Sequence, residues 1–429
     1  MKLVIQIPAW NEEEHLGAAL EAHPGANVVL ISVPGDYAAR EARRALRAGR
    51  HVMLFSDNVS LADEVALKRE AVERGLLMMG PDCGTAIING MPLGFANAVR
   101  RGPIGIVGAA GTGIQEVSSL MHRLGGGVSQ AIGTGGRDLS EEVGGLMMRF
   151  GIEALAADPA TRVIAVVSKP PAAAVAEQVL AALAAAGKPA VVHFVGGPTL
   201  RAGTPPRAAQ GRVAFADSLA GAARLACRLA GVPGVPETGA PPEAAKVAAL
   251  AERLPPGAAL KALFCGGTTG QEALALLARA GLEVRSNLHK RGPLRVDGVE
   301  PVPGHVLLDL GDDVFTRGRP HPMIEPALRN ERLAVEMADP AAELLLFDCV
   351  IGYGSHADPA GVLAAGLEQA RRRSPGREWV AVASVTGTAE DPQGYEAQVG
   401  RLADAGVTVE TDNRRAARFA AAVLGRAGR

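Results

Sequence analysis

Aromatic residues are scarce: they make up 3% of the 429 positions. The cores must therefore be built from Ala, Val, Leu and Ile. Cysteine is scarce too. Cys83, Cys227, Cys265 and Cys349 lie far apart with no CxxC pair, which argues against a zinc site and a disulfide framework and favours a reducing compartment. Neither charge is in surplus, with 44 Lys and Arg against 45 Asp and Glu, so electrostatics give no case for nucleic acid or an anionic membrane. Long apolar runs are missing as well. The stretch 172–186 is interrupted by Glu177 and Gln178 and is too short to cross a bilayer. The first residues carry one Lys and then acidic side chains, unlike a secretory signal. The expectation is a cytoplasmic protein that binds neither nucleic acid nor membrane.

What is abundant is small and apolar. Hydrophobic residues reach 48%, and 53 glycines and 29 prolines follow no fixed period, which fits many short βα turns. Apolar runs at 27–33, 51–55 and 76–79 alternate with helical patterns at 36–48 and 61–74. The alternation resumes with strands at 104–107, 128–132, 163–167 and 189–195 and with helices at 114–120, 139–150 and 172–186. It returns after a Pro- and Gly-flanked linker at 231–257. Alternation of this kind predicts βαβ units in parallel sheets. The expected fold is α/β with three doubly wound units at 1–100, 101–230 and 258–429.

Four turns share one design. Those at 108–113, 133–138, 265–270 and 350–355 each leave an apolar strand with at least two glycines and precede a helical pattern. Backbone N–H groups and a positive helix end gathered at one point suit an anion. The candidate binding residues are Gly108, Gly111, Thr112 and Gly113; Gly135 and Gly136; Gly266, Gly267, Thr268, Thr269 and Gly270; and Gly352 and Gly354, with His356 directly after them. None of these turns fits the P-loop pattern, and GxxGxG at 108–113 supports a dinucleotide only weakly.

The densest polar cluster, at 310–323, holds Asp312, Asp313, Arg317, Arg319 and His321 among glycines and prolines. The arginines can grip a carboxylate or phosphate bidentately. His321 can act as acid, base or hydrogen-bond donor. Adjacent aspartates diverge and no third ligand is visible, so no metal is assigned. The candidate catalytic set is His321, Arg319, Arg317 and Asp313.

Three stretches of resemblance to known families can be read in the chain. Residues 2–14 resemble the opening of a family 2 glycosyltransferase, but the Asp-x-Asp motif such an enzyme needs does not follow, and that reading is set aside. The motifs at 80–85, 108–116 and 135–140 resemble the alpha subunit of succinyl-CoA synthetase, and those at 345–359 and 381–390 the ligase domain of its beta subunit. The chain more closely resembles the FdrA family, in which both halves are fused, through these motifs and through 56–58, 167–171, 310–324 and 385–392.

The resemblance implies a Rossmann-like CoA-binding-type domain followed by two flavodoxin-like ligase-type domains whose helix N-termini hold phosphate. The phosphohistidine sequence of succinyl-CoA synthetase has no counterpart: 205–217 contains no histidine, and Ser168-Lys169-Pro170-Pro171 stands where a Glu loop is expected. The implied activity is that of a subunit of a phosphate-dependent carbamoyltransferase, converting oxalurate and phosphate to oxamate and carbamoyl phosphate. Phosphate or carbamoyl phosphate is the expected ligand, with a small carboxylate as substrate and further subunits as partners. CoA and a magnesium-bound nucleotide are left open. The alternatives are an NDP-forming acyl-CoA synthetase and a non-catalytic CoA- or phosphate-binding subunit.

Overall fold

A computed structural model describes residues 4–7, 15–196, 212–296 and 300–427. The opening motif at 8–14 and most of the segment searched for a histidine, 205–211, lie outside the described residues.

Three sheets carry the described chain. The first takes β1 (Val4–Ile7), β2 (Val28–Ile31), β3 (His51–Leu54) and β4 (Met78–Met79) side by side in that order, all parallel. The second holds β5 (Thr85–Ile88), β6 (Met91–Gly94), β7 (Arg101–Ala109), β8 (Val128–Gly133), β9 (Val163–Ser168), β10 (Ala190–Phe194) and β11 (Val213–Phe215). Its order is β11-β10-β9-β7-β8-β5-β6, parallel except where β5 meets β6 and β8. The third holds β12 (Ala259–Phe264), β13 (Arg285–Ser286), β14 (Val306–Asp309), β15 (Ala342–Val350), β16 (Val380–Thr386) and β17 (Val407–Glu410). It is all parallel, in the order β13-β14-β12-β15-β16-β17.

The α/β expectation holds. Central strands such as β9, β12 and β16 are buried at every position, as strands covered by helices on both faces must be. With so few aromatics, close packing comes from alanine-rich helices such as Ala173–Ala185, which turns Val175, Val179, Leu180 and Leu183 inward. Among the described residues, no helix is long and apolar enough to cross a membrane.

Two local expectations need correction. The hairpin β5–β6, inside the first expected unit, pairs into the second sheet through β8. The helix expected at 139–150 begins only at Leu146, because Gly144 and Gly145 adopt left-handed φ values of 72° and 67°. The Asp138 carboxylate then accepts the N–H groups of Met147 and Met148 at 3.2 and 2.8 Å.

The second and third sheets are clamped by a reciprocal pair of carboxylates. The helices Gly111–Arg123 and Gly267–Arg279 open with the same pattern, Gly-Thr-x-x-Gln-Glu. Glu116 of the first accepts from Thr386 Oγ1 at 2.6 Å and from Asn413 N at 3.1 Å, at the start of the helix Asn413–Ala427. Glu272 of the second accepts from Leu219 N at 2.7 Å, at the start of the helix Leu219–Leu229, and from Asn413 Nδ2 at 2.8 Å. Each unit thus caps a helix of the other.

Burial raises both carboxyls, Glu272 to about 7. Glu272 therefore keeps its proton in the folded protein where the unfolded chain has released it. Its contribution is intact below about pH 4.5 and is lost as pH rises through about 7, a difference of ~3 kcal/mol. The thermal midpoint is expected to fall between pH 5.5 and 8, and Glu272→Gln to flatten that fall. An unchanged slope in calorimetry of the variant would count against the clamp.

Candidate anion site

The carboxyl ends of the parallel strands converge on a cavity of about 750 Å³, where ligands bind in open α/β sheets. The first sheet contributes the loops at 32–34, 55–58 and 81–84, the second those at 108–112 and 133–137 with Lys169, and the third Cys265, Gly267, Thr268 and the loop 309–324.

Two helix N-termini open here. In the helix Gly111–Arg123 the bond from Ile114 N to Ala110 O closes the first turn, so the N–H groups of Gly111, Thr112 and Gly113 precede it and have no intrahelical acceptor. The helix Gly267–Arg279 starts against it, with Thr268 N donating to Thr112 Oγ1 at 3.3 Å. Beneath, Asp348 accepts from Cys265 N and Gly266 N at 2.8 and 2.9 Å and from Thr269 Oγ1 at 2.9 Å. Asp348 also faces the buried Arg329. Gly113, Gly266, Thr269 and Gly270 therefore support the cavity without lining it, whereas Gly108, Gly111, Thr112, Gly135, Gly136, Gly267 and Thr268 line it.

Lys169 lies among carboxylates. Of the charges around Asp309 and Asp82, that of Lys169 acts most strongly on both. Burial pushes Asp309 up to about 7, against the pull of Lys169 and of the Gly311 N–H at 3.0 Å. A Cβ on Gly267 would stand 2.5 Å from Asp309 Oδ2, so only glycine lets this carboxyl reach the helix start. Asp82, wetted by the cavity yet enclosed by protein, is raised to about 6 by desolvation. Asp313 is raised by burial and then by Asp57 and Asp312, with Arg317 opposing. Arg137 lines the wall, anchored to Glu64 at 2.9 Å and to the Val59 carbonyl at 2.7 Å.

His321 is held more firmly than its loop sequence suggests. Its Nδ1 accepts from Met323 N at 3.2 Å, which places the ring proton on Nε2. Its ring packs on Phe95, with centroids 5.4 Å apart. Burial lowers its pKa to about 4, so at neutral pH it is an uncharged Nε2–H donor. Arg319 lines the mouth but holds Glu331 through both carboxylate oxygens at 3.0 and 2.9 Å.

The turn at 350–355 does not reach the cavity, which corrects the placing of Gly352, Gly354 and His356. Its donors are used internally: Gly352 N by Gln393, Tyr353 N by the Ala96 carbonyl and His356 N by the Met323 carbonyl. Gly352, at φ 124°, sits where a Cβ would lie 2.6 Å from the Ala96 oxygen. The turn joins the third sheet to the second. The helix after it, Pro359–Arg373, is capped by Asp358.

Burial also raises Cys83 and Cys265, which line the cavity, to about 12, so neither is a thiolate nucleophile at neutral pH. Among the described residues, no group of three or more His, Cys, Asp or Glu could hold a metal ion. Sequence reading missed Lys169, Asp309, Asp82, Asp57, Arg137 and Gln115 as cavity residues. The shared Gly-Thr-x-x-Gln-Glu openings were the available signal for Gln115.

Two family models match the chain: one described as CoA-ligase over residues 263–423, and one described as CoA binding domain over residues 99–196. The second match falls on the second sheet. The uncharacterized protein YahF of Escherichia coli (strain K12) is 47% identical over 401 residues, covering 93% of this chain and 77% of that protein. The alpha subunit of an ADP-forming succinate–CoA ligase from Aquifex aeolicus is 32% identical over 154 residues, 34% of this chain and 48% of that subunit. The chain thus spans about half the length of that ligase subunit. A dinucleotide-forming acetyl-coenzyme A synthetase from Ca. Korarchaeum cryptofilum, in apo form, aligns over 94% of this chain and 84% of its own at 17% identity and a TM-score of 0.37.

Proposed function

Since the chain belongs to the family of Escherichia coli YahF, with CoA-binding and CoA-ligase domains and succinyl-CoA synthetase-like homologues, we propose that its cavity binds phosphate for carbamoyl or acyl transfer. The observation that carries this reading is the meeting of two helix N-termini, at Gly111 and Gly267, beside Lys169. Helix ends and a lysine together favour a tetrahedral oxyanion.

In the FdrA-like form of this reading, a phosphate oxygen attacks the ureido carbonyl carbon of oxalurate. The bond from that carbon to the oxamoyl nitrogen breaks, and the nitrogen takes up a proton, releasing oxamate and carbamoyl phosphate. His321 Nε2–H can donate to the carbonyl oxygen as charge develops there. Asp309, raised to about 7, and Asp82, raised to about 6, are poised to exchange the proton near neutral pH. Arg317 stands at the mouth for the substrate carboxylate. Further subunits complete the enzyme in this reading, which places it in the cytoplasm.

CoA does not suit the cavity wall. Asp57 and Asp313 both push the Asp82 carboxyl up, and Asp57 and Asp312 do the same to Asp313, a field that opposes a polyanionic cofactor. The test is phosphate-dependent formation of carbamoyl phosphate from oxalurate, by the purified protein alone and with candidate partner subunits. Turnover supports the reading, and its absence in every combination overturns it. The alternative reading, an NDP-forming acyl-CoA synthetase, predicts instead a stable phosphoenzyme after incubation with ATP.

A further inference from the structure

Asp309 sets a carboxyl where an anion is expected. It ends β14 at the cavity and is only 7% exposed. Asn287 holds its backbone on both sides, donating to its carbonyl and accepting from its N–H at 2.9 Å each. Oδ1 accepts from Gly311 N at 3.0 Å. Oδ2 is the spare atom. It takes no hydrogen bond among the described residues, and unlike the sealed polar atoms of the core it is open to the cavity. A Cβ on Gly267 would meet it at 2.5 Å, with Lys169 Nζ 3.8 Å from the same point. Oδ2 therefore borders the ground where an anion would rest on the helix Gly267–Arg279.

Neither ordinary role explains this oxygen. The helix has no side-chain cap, so Oδ2 does not serve its N–H groups. It closes no ion pair with Lys169 either. Above the folded pKa of about 7, Oδ2 can only accept. A bare oxyanion has only lone pairs to set against it and is repelled. One that keeps a hydrogen can donate it to Oδ2 while its other oxygens face the helix ends and Lys169. Monohydrogen phosphate and sulfate have the same charge and nearly the same size, and differ by that hydrogen.

We propose that Asp309 is a specificity-determining residue whose free oxygen accepts the P–OH hydrogen of phosphate and turns away oxyanions that carry none. This rests on the reading of the cavity as a phosphate site. A phosphoryl group that has lost its hydrogen, as an acylated phosphate has above neutral pH, meets the same repulsion. The site then holds free phosphate more tightly than the acylated product.

Phosphate, fluorophosphate and sulfate are predominantly dianions at pH 8, and only the first carries a hydrogen. Calorimetry on the full chain is expected to show phosphate binding at least about tenfold more tightly than either of the others. Asp309→Asn inverts the preference by geometry: Gly311 N keeps the side-chain oxygen as its acceptor, which turns the amide N–H groups toward the anion. The variant should bind sulfate and fluorophosphate more tightly than the unaltered protein does, and phosphate no better than those two. That gain is one a misfolded protein cannot show. Equal affinities for the three anions in the unaltered protein overturn the selectivity and leave the anion site standing. An Asp309→Asn protein that keeps the preference overturns it as well, since another group then reads the hydrogen. If none of the three binds the unaltered protein, anion site and selectivity fall together.

Discussion

Lys68→Met is expected to destabilise the protein by about 3–5 kcal/mol, read from the midpoint of urea unfolding. Lys68 is wholly buried, and its ammonium donates to Glu64 at 2.8 Å, to Asp138 at 2.8 Å and to the Thr134 carbonyl at 2.9 Å. Methionine fills a similar volume but leaves two buried carboxylates facing each other without their cation. Removing one partner of a buried cluster strands the others' charge, which is why the effect far exceeds that of a surface pair. Asp138 keeps the N–H groups of Met147 and Met148, and Glu64 keeps Arg137. The collapse is therefore partial, and Lys68→Met combined with Asp138→Asn should recover part of the loss by removing one stranded charge. A loss under ~1 kcal/mol would place the triad with ordinary surface pairs. Since Arg137 hangs from the same loop and lines the cavity, anion affinity should drop along with stability.

The triad illustrates what sequence can and cannot carry. The alternation of strands and helices was legible because parallel strands buried on both faces are apolar throughout, as in Val163–Ser168. The turns at 108–113 and 265–270 were legible as strand, glycines and helix. The turn at 350–355 has the same local pattern, yet Gln393 and the Ala96 carbonyl consume its donors. Whether a glycine turn binds a ligand is decided by partners remote in sequence. Lys169 was visible only as a departure from a Glu-containing loop, because nothing local shows that it will face Asp309 and Asp82. Asp309 gave no warning either, since its raised pKa comes from burial that only the assembled third sheet supplies.

Lys169→Met is expected to weaken sulfate binding by about 10–100-fold, the loss of one charge-assisted contact. Sulfate is the useful probe because its own charge is constant from pH 5 to 9, whereas phosphate titrates within that range. The pH profile then reports on the protein. Asp309 has a folded pKa of about 7, raised chiefly by burial and held down by Lys169, with Asp312 and Asp348 pushing it up. Below that value the carboxyl is protonated and no longer repels an anion at Gly267, so sulfate affinity should strengthen as pH falls through about 7. Without Lys169 the carboxyl loses its main opposing cation and titrates at higher pH. The affinity step in Lys169→Met should therefore move upward in pH as well as shrink in height. Asp309→Asn, fixed in the uncharged form, should bind sulfate more tightly at pH 8 and lose the step near pH 7. A step that survives in Asp309→Asn would transfer the titration to Asp82, which burial raises to about 6. A Lys169→Met protein with unchanged affinity at every pH would remove the lysine from the anion site and leave the two helix ends to bind alone.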